Sequence, residues 1–209
     1  MKIKNISLKI TVFAILILFI IPSTTIAQND SLRNKTKFGV KFRLGGRYDD
    51  VRMCVASPAG ATGGTAADIS IFMEFNVSQK SVAHIDIPVF RPVLFGLAFE
   101  MLQFEPTATL KYKKHLSEKT NFKTGPMIGI SLHYGPDYNS EQDNPTESFF
   151  AMGPIVGGYI GFEFKSPNKK RSIEIGITPY AEALFGINDS ANHQGYVFGG
   201  LFDLAINFN

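Results

Sequence analysis

From Phe38 to Phe208 the chain keeps alternating bulky apolar residues with small or polar ones, and the last such run ends Leu204, Ile206, Phe208. Period two over segments of this length specifies β-strand, because successive side chains of a strand leave on opposite faces. Eight strands are predicted. The first presents Phe38, Val40, Phe42 and Leu44 on one face, and the second Ile69, Ile71, Met73, Phe75 and Val77. The third presents Ala83, Ile85, Ile87 and Val89; the fourth carries Leu102, Phe104, Pro106, Ala108, Leu110 and Tyr112. The fifth runs from Phe122 to Tyr134, the sixth from Phe150 to Phe164, the seventh from Ile173 to Phe185 and the eighth from Phe198 to Phe208. Pro126, inside the fifth, lacks a ladder donor, so a bulge or local irregularity is expected there.

The connections sort by length. Ser78-Gln79-Lys80, Ser117 to Asn121 and Ser166 to Lys170 are short, polar turns, whereas Gly45–Asp68, Phe90–Met101, Gly135–Ser148 and Gly186–Gly195 are longer links. Short turns at one end, long loops at the other and an even strand count form the layout of a transmembrane barrel. The two faces also differ in bulk. The faces just described carry no charge, while the opposite ones carry Gly39, Gly129, Gly157, Gly161, Gly176 and Gly199 among polar and ionic side chains. An eight-stranded barrel has an interior only wide enough for side chains to fill. Forty-odd bulky groups do not fit there, whereas glycines mixed with charges do, so the apolar face is expected outside.

Lys2, Lys4 and Lys9 precede an almost unbroken apolar run, Ile10 to Ile21, and Thr25-Ile26-Ala27 ends in a small residue. That is the pattern of an export signal removed before Gln28. The expected organisation is a signal peptide over 1–27, a short periplasmic lead-in over 28–36 and a single barrel over 37–209. The signal lysines account for the whole formal charge of +3, so the mature chain balances its 18 acidic residues with as many basic ones. Without a basic patch there is no electrostatic footprint for nucleic acid. The single cysteine, Cys54, excludes an internal disulfide.

On this pattern, over nearly all of Lys37 to Phe208, the chain resembles the small eight-stranded outer-membrane barrels of Gram-negative bacteria, the OmpX/OmpA-like group. The resemblance implies that the C-terminal strand, with Leu204, Ile206 and Phe208, is read by the outer-membrane insertion machinery. Two positions depart from the family's terminal signal: Asn209 follows the aromatic residue, and Asp203 stands where glycine is frequent. The group includes anchors, adhesins and lipid-modifying enzymes, so the resemblance does not fix a role.

The inward positions hold Lys41, Arg43, Glu74, His84, Asp86, Glu105, Lys111, Lys113, His133, Glu163, Glu174, Glu182 and Asp203. They are read as a salt-bridged filling in which each charge needs a partner, rather than as an ion path. Ser131 and His133 are the one pair suggestive of acyl hydrolysis, but both are expected to point inward, and neighbours two apart on a strand stand about 6.5–7 Å apart. That is beyond the reach a nucleophile needs from its base. His84 with Asp86 offers too few ligands for a metal. Asp137, Glu141, Asp143 and Glu147 lack the spacing of a calcium loop, and the glycines from Gly60 to Gly64 are followed by no Gly-Lys-Ser/Thr.

No catalytic, cofactor-binding or metal residue is therefore predicted, and no cofactor. The expected protein is all-β, an eight-stranded antiparallel transmembrane up-and-down β-barrel in the outer membrane. It is expected to be a non-enzymatic monomer whose partners are outer-membrane lipid and the insertion machinery, serving envelope integrity or surface interaction through its long loops, with a largely closed lumen. The alternatives are an envelope lipid-modifying enzyme and a soluble periplasmic lipocalin-like carrier of apolar ligands.

Overall fold

Alternation of this kind leaves every strand with one apolar face, and the computed structural model, which describes residues 36–52, 61–97, 101–136, 148–167, 171–187 and 194–208, turns all those faces the same way. Residues 1–27, expected to be a signal peptide, the lead-in as far as residue 35, Cys54 and the acidic residues of 137–147 lie outside the described residues. The elements, in order, are β1 (Lys37–Asp49), β2 (Gly63–Asn76), β3 (Ser81–Pro88), α1 (Phe90–Gly96), β4 (Leu102–Phe104), β5 (Thr107–His115), β6 (Thr120–Pro136), β7 (Ser148–Lys165), β8 (Arg171–Gly186) and β9 (Gln194–Phe208).

Every pairing is antiparallel. The sheet closes on itself, since β6 pairs with β7 and the first strand pairs with the last, from Phe38↔Phe208 to Asp49↔Val197. β4 and β5 both pair with β6 and together fill one place in the ring, so the wall has eight strands. Closure matters because a sheet in lipid has no water to satisfy an open edge. The fold is an eight-stranded antiparallel up-and-down transmembrane barrel.

The polarity is inverted relative to a soluble protein. Phe42, Ile71, Ile128, Val156, Ile177, Phe198 and Phe202 stand on the outer face, each between 45% and 56% exposed. Inside, Lys111, His133, Glu74, Glu163, Glu174 and Asp203 are at most 1% exposed. The outer wall also holds an open apolar groove of about 370 Å³ between Phe38, Val40, Ile71, Ile85, Ile87 and Phe208, with no charged residue in its lining. Several inward glycines make room for interior rings. A Cβ on Gly161 or Gly176 would meet the Tyr159 ring, and one on Gly199 the Tyr180 ring, all within 2.7 Å.

Two details differ from the sequence expectation, and a third meets it in a particular form. The fourth strand is not continuous: it breaks at Glu105–Pro106, and the Ile130 N–H donates to the Pro106 carbonyl across the break. Pro106 has no N–H of its own to give the ladder. Pro126 brings the expected local irregularity, though not as a bulge. Its strand keeps register with β7 throughout, and the only irregularity is a gap in the β5–β6 ladder where Gly125-Pro126 face Leu110-Lys111. The first long link is shorter than expected, because β1 runs on to Asp49 and β2 begins at Gly63.

Candidate functional site

The barrel interior is the place where this chain concentrates its chemistry, and strand parity explains why. A strand whose even positions are apolar sends its odd positions inward, which in β1 aligns Lys41, Arg43, Arg47 and Asp49 along the lumen. Neighbouring strands contribute Asp68, Ser70 and Glu74 from β2, His84 and Asp86 from β3, and Lys111 from β5. Across the lumen stand Lys123 and His133 of β6, Glu163 of β7, Glu174 and Glu182 of β8, and Asp203 of β9.

Near the short turns, Lys123 Nζ donates to Glu174 at 2.6 Å and to Glu74 at 3.2 Å, with Glu163 3.5 Å away. Lys111 is paired with Glu174 and lies 4.2 Å over the Tyr159 ring. Lys37 closes this group on Glu163 at 3.5 Å, and the Asn121 amide donates to the same carboxylate at 2.7 Å. At mid-depth Asp86 is 2.6 Å from Lys41 and 2.9 Å from Arg43, and Arg43 reaches Asp203 at 3.7 Å. His84 joins the two groups: Nε2 lies 3.0 Å from both Lys41 and Asp86, Nδ1 lies 3.0 Å from Glu74, and its ring stacks on Phe72.

Toward the long links, Arg47 bonds Asp49 at 2.7 Å and Glu105 at 3.0 Å. Arg91 bonds Asp68 at 3.0 Å, the Gln103 side-chain oxygen at 3.1 Å and Glu105 at 2.7 Å. His133 Nε2 is 3.2 Å from Glu105 and 3.6 Å from Glu182. Several buried polar atoms make no hydrogen bond among the described residues, including both Glu182 oxygens, His133 Nδ1, Ser131 Oγ and Thr107 Oγ1. A cavity of about 10 Å³ opens between Glu105, Thr107, Thr178, Tyr180 and Glu182. That is about the space one water needs.

All the inward charges expected from the sequence lie in this interior except Lys113, which is only half-buried near the turn end. Glu182 and Asp203 fare differently: Asp203 reaches Arg43, while among the described residues the ion-pair partner of Glu182 is His133. Five buried ionic residues were missed: Arg47, Asp49, Asp68, Arg91 and Lys123. Four of them obey the parity of their strands: extending the alternation by a few residues would have found Arg47, Asp49 and Asp68, and Lys123 already lay within the fifth strand on its inward face. Arg91 has no such signal, because it reaches the lumen from α1, the short helix that packs on β2 and β4.

The supposed Ser131/His133 pair is not assembled for attack. Both residues are fully buried inside the lumen, and the histidine engages Glu105 instead of the hydroxyl. Fold and interior together define a transmembrane barrel whose lumen is crossed by its own ion pairs. In sequence, the chain matches no protein-family model and no curated protein. Among solved structures it is similar to Neisserial surface protein A (NspA): 11% identity, a TM-score of 0.50, and coverage of 82% of this chain and 96% of that one. A Pseudomonas aeruginosa FadL homologue matches with 7% identity and a TM-score of 0.21, over 83% of this chain and 89% of that one. The NspA likeness is one of fold.

Proposed function

We propose that this chain is a non-enzymatic outer-membrane barrel protein, a monomer with short turns in the periplasm and long loops outside, serving envelope integrity or surface interaction. The observation that carries the reading is the inverted polarity: a closed wall with Phe, Ile and Val exposed around a lumen of buried, paired charges. A wall of that kind is stable where hydrocarbon solvates it and exposes far too much apolar surface for water. The sharing of a fold with a Neisserial surface protein agrees with such an address. The closing strand β9, ending at Phe208 and paired along β1 and β8, is the segment offered to the insertion machinery.

The interior argues for plug over pore and for anchor over carrier. Lys111 and Lys123 reach across the lumen to Glu174, so paired side chains stand in the path of any water column at that depth. An apolar ligand would find charged walls. The lipid-modifying alternative needs a nucleophile facing lipid, and Ser131 faces the lumen.

The test is fractionation followed by reconstitution. The protein is expected in the outer-membrane fraction, with heat-modifiable migration, and Ser131→Ala is expected to leave envelope lipid acylation unchanged. Release by osmotic shock without detergent would remove the membrane reading, and altered lipid acylation in Ser131→Ala would install the enzyme reading in its place.

A further inference from the structure

The buried charges fall into three layers, and two of them balance. Lys37, Lys111 and Lys123 face Glu74, Glu163 and Glu174. Lys41 and Arg43 face Asp86 and Asp203. In the third layer the guanidinium groups of Arg47 and Arg91 are shared among Asp49, Asp68 and Glu105. Glu182 is the fourth carboxylate there, and among the described residues no lysine or arginine comes within ion-pair distance of it. With histidines counted neutral, that layer holds two uncompensated negative charges in a region at most 6% exposed. Burial of that kind is not sustained without a counter-charge or a proton.

The same layer contains a ligand set. One donor atom each from Glu105, His133 and Glu182 lies within 4.8 Å of the others, and the measured edges from His133 Nε2 are 3.2 and 3.6 Å. A tetrahedral ion with bonds of about 2.0–2.2 Å holds its donors about 3.3–3.6 Å apart. Glu105 is already oriented by Arg47 on Oε1 and Arg91 on Oε2, as outer partners orient ligands in metal sites. Its Oε1 keeps a second lone pair. Independently, Glu182 is 2% exposed and neither of its oxygens completes a hydrogen bond of good geometry among the described residues, with only the Ser131 hydroxyl standing beside it.

We propose that Glu105, His133 and Glu182 hold a divalent transition-metal ion of the zinc class, its fourth position left to a water near Ser131. One imidazole with two carboxylates suits zinc better than magnesium or calcium, which take oxygen alone. The ion would neutralise the layer and tie the β4–β5 break to β6 and β8 across the lumen. Being enclosed, it would be loaded as the barrel forms. This inference rests on the interior geometry and stands whatever the barrel does in the cell.

The untagged mature protein, refolded in detergent with zinc and then washed with a chelating resin, is expected to retain a single equivalent of metal. Refolding with cobalt is expected to give the intense visible bands of a tetrahedral ion. Glu182→Gln, with folding checked by heat-modifiable migration, is expected to lower retention by about tenfold or more. A wild-type protein that folds yet retains no stoichiometric metal would overturn the proposal, leaving two protons instead of an ion to balance the layer. Metal retained equally by Glu182→Gln and His133→Gln would overturn it too, by placing the ion elsewhere. Should neither variant fold, X-ray absorption at the zinc edge of the wild type decides: one imidazole with oxygen donors supports the site, and an all-oxygen shell or several imidazoles contradicts it.

Discussion

Lys123 shows what a single side chain has to do in this interior. It is 1% exposed and lies within 3.5 Å of Glu74, Glu163 and Glu174, so one ammonium group is shared by three carboxylates. Replacing the lysine by methionine preserves most of the volume but leaves uncompensated buried charge, a change that costs about 3–5 kcal/mol. Lys123→Met should lower the unfolding free energy by that order in a urea titration of the detergent-folded protein. Lys119→Met, on the exposed turn, should change it by less than about 0.5 kcal/mol. The outer face answers to the opposite rule. Ile128, mid-strand in β6 and 54% exposed, should cost about 2–4 kcal/mol on replacement by arginine in a bilayer, whereas a soluble protein would barely register that surface change. At this scale the sequence was readable wherever a residue kept its strand's parity, as Lys41, Glu74 and Glu174 do. It was unreadable at Arg91, whose side chain enters the lumen from a helix that no period-two pattern could announce.

The strands themselves were legible in number and order because each repeats its alternation often enough to outvote local exceptions. Their interruptions were less so, and proline explains both cases. Pro106 ends one segment of the fourth wall position, while Pro126 leaves its strand intact at the cost of a gap in one ladder. The difference lies in the neighbour. Gly125 precedes Pro126, and the strands draw so close there that a Cβ on Gly125 would sit 1.8 Å from the Leu110 carbonyl oxygen. Gly153-Pro154 repeats the arrangement in β7, with 1.7 Å to the Ala183 oxygen and a matching gap in the β7–β8 ladder. Since backbone cannot yield as a flexible side chain does, Gly125→Ala should destabilise the barrel by about 1–3 kcal/mol. Gly200→Ala, where nothing lies within 4 Å, should be tolerated within about 0.5 kcal/mol. Parallel thermal melts followed by heat-modifiable migration would separate the two. The metal-like cluster was illegible for a related reason: Glu105, His133 and Glu182 sit on three different wall positions, and only the registers of β4 and β5 with β6, of β6 with β7 and of β7 with β8 bring them together.

As a whole the molecule is a ring closed by β1 and β9, greasy outside and ionic within. The narrowness of eight strands makes the charged filling a plug, so the reconstituted protein should be silent in a planar bilayer, and steady unitary currents would show that the ion pairs do not close the lumen. Inverted polarity is the claim on which the rest depends, and it can be measured residue by residue. Nitroxides placed singly from Ile173 to Tyr180 of β8, with Cys54 replaced by serine, report collision with oxygen, which partitions into hydrocarbon, and with a water-soluble nickel chelate. The ratio of oxygen to nickel collisions should rise and fall with period two in lipid vesicles, peaking at Ile173, Ile175, Ile177 and Pro179. A flat profile, or peaks at Glu174, Gly176 and Thr178, would contradict it.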